Sequence, residues 1–132
     1  MSIATINPAT GETLRTFQPI PPAELEARLQ LAMDAYHRHR RTPLAERKRL
    51  MLRAAEILES EKEAFGRLMV TEMGKTLKAA VEEAAKCVLG CRYYAEQART
   101  NLGARELPGP TGESNTLHLH GRGVFVCISP WN

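Results

Sequence analysis

Val124-Phe125-Val126-Cys127-Ile128 is an unbroken apolar run, and Ser129-Pro130-Trp131-Asn132 turns the chain directly after it. A strand covered on one face alternates apolar and polar residues. A run without alternation fits a strand covered on both faces, as in the parallel sheets that helices flank. Such a strand needs ladder partners, and between parallel neighbours it needs a crossover of about a dozen residues or more. The run therefore sets the expected class as α/β, with residues 124–132 as the first strand and turn of a sheet. The turn at its carboxyl end falls where open α/β sheets gather their ligands.

The sequence ahead of this strand divides into three stretches. Ile3-Ala4-Thr5-Ile6 and Thr13-Leu14-Arg15-Thr16-Phe17 are β-prone runs flanking Asn7-Pro8-Ala9-Thr10-Gly11, so residues 1–20 are expected to form an exposed hairpin arm. Residues 21–103 carry three helical patterns. Pro21-Pro22 opens the first, to about Arg40, with Leu25, Leu29, Ala32, Met33 and Tyr36 at spacings of three and four. Thr42 is expected to cap the second, with Pro43 at its first position and Glu46 in its first turn. Met51, Ala54, Ala55, Leu58, Phe65, Leu68 and Met69 form its apolar face, and Gly74 suits a left-handed cap at its end. Thr76 is expected to cap the third helix, which reaches Leu102 with Gly103 as its stop; Leu77, Val81, Ala84, Ala85, Val88, Tyr94 and Ala95 give its face. Residues 104–123 read as a Gly- and Pro-rich loop to Ser114, then a half-buried strand over Thr116-Leu117-His118-Leu119-His120, broken by Gly121-Arg122-Gly123. Three such helices could bundle, but the orphan strand suggests that their stripes are shaped to pack on a sheet.

Composition excludes more than it assigns. A net charge of +3 is too mild to imply nucleic acid by itself. The amino terminus lacks the charged and apolar regions of a secretory leader, and no apolar run approaches a membrane span. Three cysteines are an odd count for a closed disulfide framework and read as reduced thiols. The expected setting is the cytoplasm, with no membrane partner.

Four segments together carry a family resemblance. Val124 to Asn132 resembles the strand and Pro-Trp-Asn turn of the aldehyde dehydrogenase superfamily. Asn7-Pro8-Ala9-Thr10-Gly11-Glu12, Glu72-Met73-Gly74-Lys75 and Tyr93-Tyr94-Ala95-Glu96 are similar to that family's amino-terminal landmarks, in the same order. The chain looks most like the succinate-semialdehyde dehydrogenase branch. The resemblance covers essentially all 132 residues but only the family's opening portion, since full members are several times longer. It implies an incomplete α/β fold: a β arm, three amphipathic helices, a short β excursion and the first strand of a Rossmann-type sheet. It also implies NAD(P)-dependent oxidation of an aldehyde to a carboxylate by a homo-oligomeric parent. That reaction runs through a thiohemiacetal, hydride transfer and thioester hydrolysis. Thr76 stands where many relatives have proline, a departure that a capping threonine can absorb.

The same resemblance assigns residues. Asn132 matches the asparagine whose side-chain N–H donates to the oxyanion formed when a catalytic cysteine attacks the aldehyde. Ile128, Ser129, Pro130 and Trp131 match the strand end along which the nicotinamide cofactor, NAD or NADP, lies. The nucleophile and the carboxylate that activates water come from later segments of the family. The 132-residue chain is accordingly expected to be inactive, to bind no cofactor and not to assemble as the parent does. Cys87 and Cys91 lie one helical turn apart and are expected to pack as small hydrophobes, and Cys127 lies within the apolar run.

Other patterns read as structure. Gly74-Lys75-Thr76 ends like a phosphate-binding loop, but Met69 stands where the first glycine belongs. Gly121-Arg122-Gly123 begins like a dinucleotide fingerprint but precedes its strand, and Val126 occupies the third glycine position. His37-Arg38-His39-Arg40-Arg41 with Arg47-Lys48-Arg49 is the densest basic cluster. Without interleaved aromatics it does not make a single-strand platform, and it reads as a solvated helix junction. His118 and His120 share a strand face, but with no third ligand in view no metal is expected. The rival reading from another class is a free-standing helical interaction module, with residues 21–103 binding a protein partner.

Overall fold

The computed structural model describes residues 3–129. In chain order these form β1 (Ile3–Ile6), β2 (Thr13–Phe17), α1 (Pro22–His39), α2 (Leu44–Met73), α3 (Leu77–Leu102), β3 (Arg105–Leu107) and β4 (Asn115–Leu117). Helices and short strands together bear out the α/β class.

The arm is the expected hairpin. β1 and β2 pair antiparallel, Ile3 opposite Phe17 and Ala4 opposite Thr16, with an irregularity between Thr5 and Ile6. Its turn is closed locally: the Asn7 side-chain oxygen accepts the Ala9 N–H at 2.9 Å. The Gly11 N–H donates to the Asn7 carbonyl at 2.8 Å, and Gly11 takes the left-handed φ of 75° that favours glycine.

The helices begin and end close to where the pattern places them, but two caps differ. Pro43, not Thr42, is the N-cap of α2, and its carbonyl accepts the Glu46 and Arg47 N–H groups. Thr42 instead donates its N–H to the His39 carbonyl, so it closes the turn that leaves α1. Thr76 occupies the N-cap of α3 in extended backbone, but its hydroxyl makes no capping bond. Gly74 ends α2 at φ 73° as expected. A side chain there would also meet Pro8 Cγ at 3.0 Å, which sets the turn of the arm against the α2–α3 connection. Gly103 stops α3 by turning into extended backbone.

The core is one helical hairpin. The short connection from Gly74 to Thr76 returns α3 along α2, as expected of antiparallel neighbours. Ala55 on α2 and Ala80, Ala84, Val88 and Ala95 on α3 are the buried apolar residues, joined by the buried Gly66. Small residues at the contact let the backbones approach closely. The flanking Met51, Leu68, Leu77 and Tyr94, expected on the apolar faces, remain exposed. α1 buries none of its residues.

Residues 104–123 depart from expectation. Arg105–Leu107, read as loop, is a strand that pairs antiparallel with Asn115–Leu117, Arg105 opposite Leu117. The expected strand over Thr116–His120 is thus shorter, begins one residue earlier and is exposed. The final apolar run forms no strand as far as Ser129. Phe125 is 73% exposed, Val126 75% and Ile128 92%. The reason is the one that made the run informative: a strand of this kind holds its form through ladder bonds on its edges, and the described residues offer it none. No helix of the described residues is long and apolar enough to cross a membrane.

Candidate functional site

Of the residues assigned to the carboxyl-terminal turn, Pro130, Trp131 and Asn132 lie outside the described residues. Ile128 and Ser129 are described and exposed. Ile128 is 92% exposed, and the described residues build no cleft around it.

The segment ahead of the apolar run is tied to α1 by a hydrogen bond. Tyr36, in the last part of α1, donates its hydroxyl hydrogen to the Gly121 carbonyl at 2.7 Å, across 85 residues of sequence. This bond holds the segment before the apolar run against the corner between α1 and α2. The corner itself is tied by Arg47, whose Nε donates to the Thr42 carbonyl at 3.0 Å and whose Nη2 donates to the His39 carbonyl at 2.8 Å. One is a carbonyl of the last turn of α1, which also accepts the Thr42 N–H, and the other belongs to the connection, so one guanidinium ties both. The Arg40 guanidinium lies over the Tyr36 ring at 5.7 Å. Between these groups and the loop is a cavity of about 320 Å³, bordered by Tyr36, His39, Arg40, Arg47, His120 and Gly121 among others. A second, apolar groove of about 400 Å³ lies where the start of α2 meets the end of α3, with Leu44, Met51, Ala95 and Leu102 on its walls.

The thiols are not arranged for nucleophilic chemistry. Cys87 and Cys127 are exposed, Cys91 is half-buried, and all three are free. The expected packing of Cys87 among small apolar residues does not hold: it is exposed, beside Ala79, Glu83 and Lys86. The His118 and His120 rings stack with centroids 6.2 Å apart, and no group of three metal-ligating side chains occurs among the described residues. Two carboxylates titrate below their ordinary value of 4.5. Glu46 does so chiefly because the Arg49 side chain hydrogen-bonds it, and Glu59 chiefly through the hydrogen bond from Lys62. Both pairs are exposed helix-surface ion pairs, not catalytic groups. Lys75 pairs with Glu83 across the α2–α3 connection, which gives the Gly74-Lys75-Thr76 turn a structural use.

Residues 1–132 match the pattern described as the aldehyde dehydrogenase family. The chain belongs to the aldehyde dehydrogenase family. It is 44% identical over 136 residues to an aldehyde dehydrogenase of Paenarthrobacter nicotinovorans, covering 100% of this chain and 30% of that protein. It is 39% identical over 132 residues to a probable NADP(+) succinate-semialdehyde dehydrogenase of Synechocystis, covering 100% of this chain and 29% of that protein. Succinic semialdehyde dehydrogenase from Streptococcus pyogenes, solved in complex with NADP+, matches in structure with a TM-score of 0.77. That match has 31% identity and covers 83% of this chain and 24% of the other. The chain thus spans about 30% of the length of the curated aldehyde dehydrogenases it matches. It corresponds to an amino-terminal portion of this α/β fold.

Reading the sequence did not find the Tyr36–Arg47 corner. The basic residues were visible as a cluster, but which carbonyls they satisfy depends on the angle between α1 and α2, which no spacing encodes. Gly66 was also missed: within a helical pattern it carried no signal beyond its low propensity.

Proposed function

We propose that the protein to which this chain belongs oxidises a small aldehyde, succinate semialdehyde or a close relative, with NAD or NADP as hydride acceptor. The observation that supports this is similarity, over all of this chain and 29% of the relative, to a protein named a probable NADP(+) succinate-semialdehyde dehydrogenase. Within that reaction Asn132 donates its side-chain N–H to the oxyanion, and Ile128, Ser129, Pro130 and Trp131 line the cofactor. The open, exposed Ile128–Ser129 end is not a cofactor site alone, and the free cysteines lie outside any nucleophile loop. The 132-residue chain by itself is therefore inactive and binds no cofactor. A cytoplasmic, homo-oligomeric parent without nucleic-acid or membrane partners completes this proposal.

The test is a chimera. Residues 1–132 replace the matching segment of the Synechocystis relative, and NADPH formation from succinate semialdehyde is followed. Activity in the chimera, a drop in kcat of about 10²–10³ for Asn132→Ala, and no activity in the isolated chain are the expected results. A soluble, folded chimera without activity, or Asn132→Ala at full activity, overturns the reading.

One observation favours a second reading, a free-standing helical interaction module. α2 and α3 bury Ala55, Ala80, Ala84, Val88 and Ala95 between themselves. Cooperative thermal unfolding of the isolated chain, with specific capture of the intact relative, supports it; a non-cooperative, aggregating chain counts against it.

A further inference from the structure

We propose that the α1–α2 corner is a binding site for a small oxyanion, a phosphoryl or carboxylate group, held between Arg40, Arg47 and the His120–Gly123 loop. The cavity of about 320 Å³ there is bordered by His39, Arg40, Arg47 and His120, and no carboxylate lines it. This size sits at the small end of ligand cavities.

The charge at the corner is not compensated from within. From Arg38 to Arg49 the chain carries six cations, Arg38, Arg40, Arg41, Arg47, Lys48 and Arg49, against the single carboxylate of Glu46. Glu46 is taken up by Arg49 at 2.6 Å. On the helices Arg28 pairs with Glu24 and Arg53 with Glu56, while others, such as Arg38 and Arg67, stand without an ion pair among the described residues. Arg40 and Arg47 have no carboxylate partner among the described residues: Arg40 rests on the Tyr36 ring, and Arg47 donates to two neutral carbonyls. Neither charge is met by a carboxylate: Arg47 is held by its two carbonyl bonds, and Arg40 stands open to solvent beside the Tyr36 ring. The Arg40 guanidinium keeps its planar donors free for two oxygens of an anion, while Arg47 contributes chiefly its charge.

The far wall is supplied by the loop. The Tyr36–Gly121 hydrogen bond draws residues 119–123 over the corner. Gly123 adopts a φ of 133°, a backbone conformation open to glycine that lets the loop turn over the cavity. The loop also borders a second cavity with Thr42, Leu44 and Leu102, so it lies along the corner over several residues.

The test is calorimetric titration of the 132-residue chain with orthophosphate, and separately with acetate, at constant ionic strength held by chloride. One saturable site is expected. Arg40→Gln should weaken it at least fivefold, while Arg38→Gln, two residues earlier in the last turn of α1 and outside the cavity lining, leaves it unchanged. Binding of both anions supports a general oxyanion site; binding of phosphate alone supports a phosphoryl site and binding of acetate alone a carboxylate site. No saturable binding, or equal weakening by the two arginine substitutions, overturns the proposal in favour of diffuse positive potential. Far-UV circular dichroism checks that Arg40→Gln keeps its helices. His120→Ala, in the loop, supplies an independent variant expected to weaken binding without touching α1.

Discussion

Gly66 on α2 and Val81 on α3 meet with no side chain between them: a Cβ added at Gly66 would lie 2.7 Å from Val81 Cγ2 and 3.2 Å from the Val81 backbone nitrogen. Helix propensity alone would make Gly66→Ala stabilising by about 1 kcal/mol. Overpacking at a close contact costs about 1–3 kcal/mol and wins. Gly66→Ala is expected to destabilise the chain by about 1 kcal/mol, and Gly66→Val by more. Adding Val81→Ala to Gly66→Ala should recover part of the loss, a coupling that urea denaturation of the double-mutant cycle will show.

Val88 is the largest side chain fully enclosed by the helical hairpin, at 1% exposure. Val88→Ala leaves a cavity and should cost about 2 kcal/mol. Leu89, one residue on, is 66% exposed, and Leu89→Ala should change stability by less than about 0.5 kcal/mol. Equal effects in thermal melts would mean that the packing described for α3 is wrong.

Tyr36→Phe removes the hydroxyl that holds Gly121 and little else. An exposed hydrogen bond of this kind contributes about 1 kcal/mol or less, so the melting temperature should barely move. Trypsin cleavage after Arg122 should quicken instead, because the loop is released from the corner. Unchanged cleavage would show that the bond does not restrain the loop in solution.

Acid should weaken the helices in a defined direction. Glu46 and Glu59 are depressed below 4.5 in the folded chain by their hydrogen bonds from Arg49 and Lys62. A depressed carboxylate contributes its stability above the unfolded value, and that contribution is lost as pH falls through the folded value. Thermal melts between pH 6 and pH 3 should therefore lose stability below about pH 4.5, less steeply in Glu46→Gln/Glu59→Gln. Both pairs are exposed, so added salt should shrink the difference.

What the sequence made legible follows the range of the forces involved. The hairpin arm, three helices and the Gly74 stop are written in local signals: a Pro-Gly turn between β-prone runs, apolar spacing, and a residue suited to positive φ. Thr76 takes the N-cap position of α3 as expected but without the hydroxyl bond, whereas at α2 the cap falls to Pro43 in place of Thr42. Val124–Ile128 has the pattern of a segment made for burial, yet burial is a property of partners. These five residues stand exposed where no neighbouring strand is described. The corner built by Tyr36, Arg40 and Arg47 was illegible for a related reason, since it joins residues through a loop that approaches from 85 positions away.

The alanine-lined hairpin has a thermodynamic consequence. All the buried apolar residues of the described chain lie on α2 and α3, and four of the five are alanines, which bring little hydrocarbon out of water. Unfolding then hydrates far less apolar surface than is usual for a chain of this length. The heat-capacity increment should fall well below the usual ~12–15 cal/mol/K per residue, giving a flat stability curve and a broad calorimetric transition.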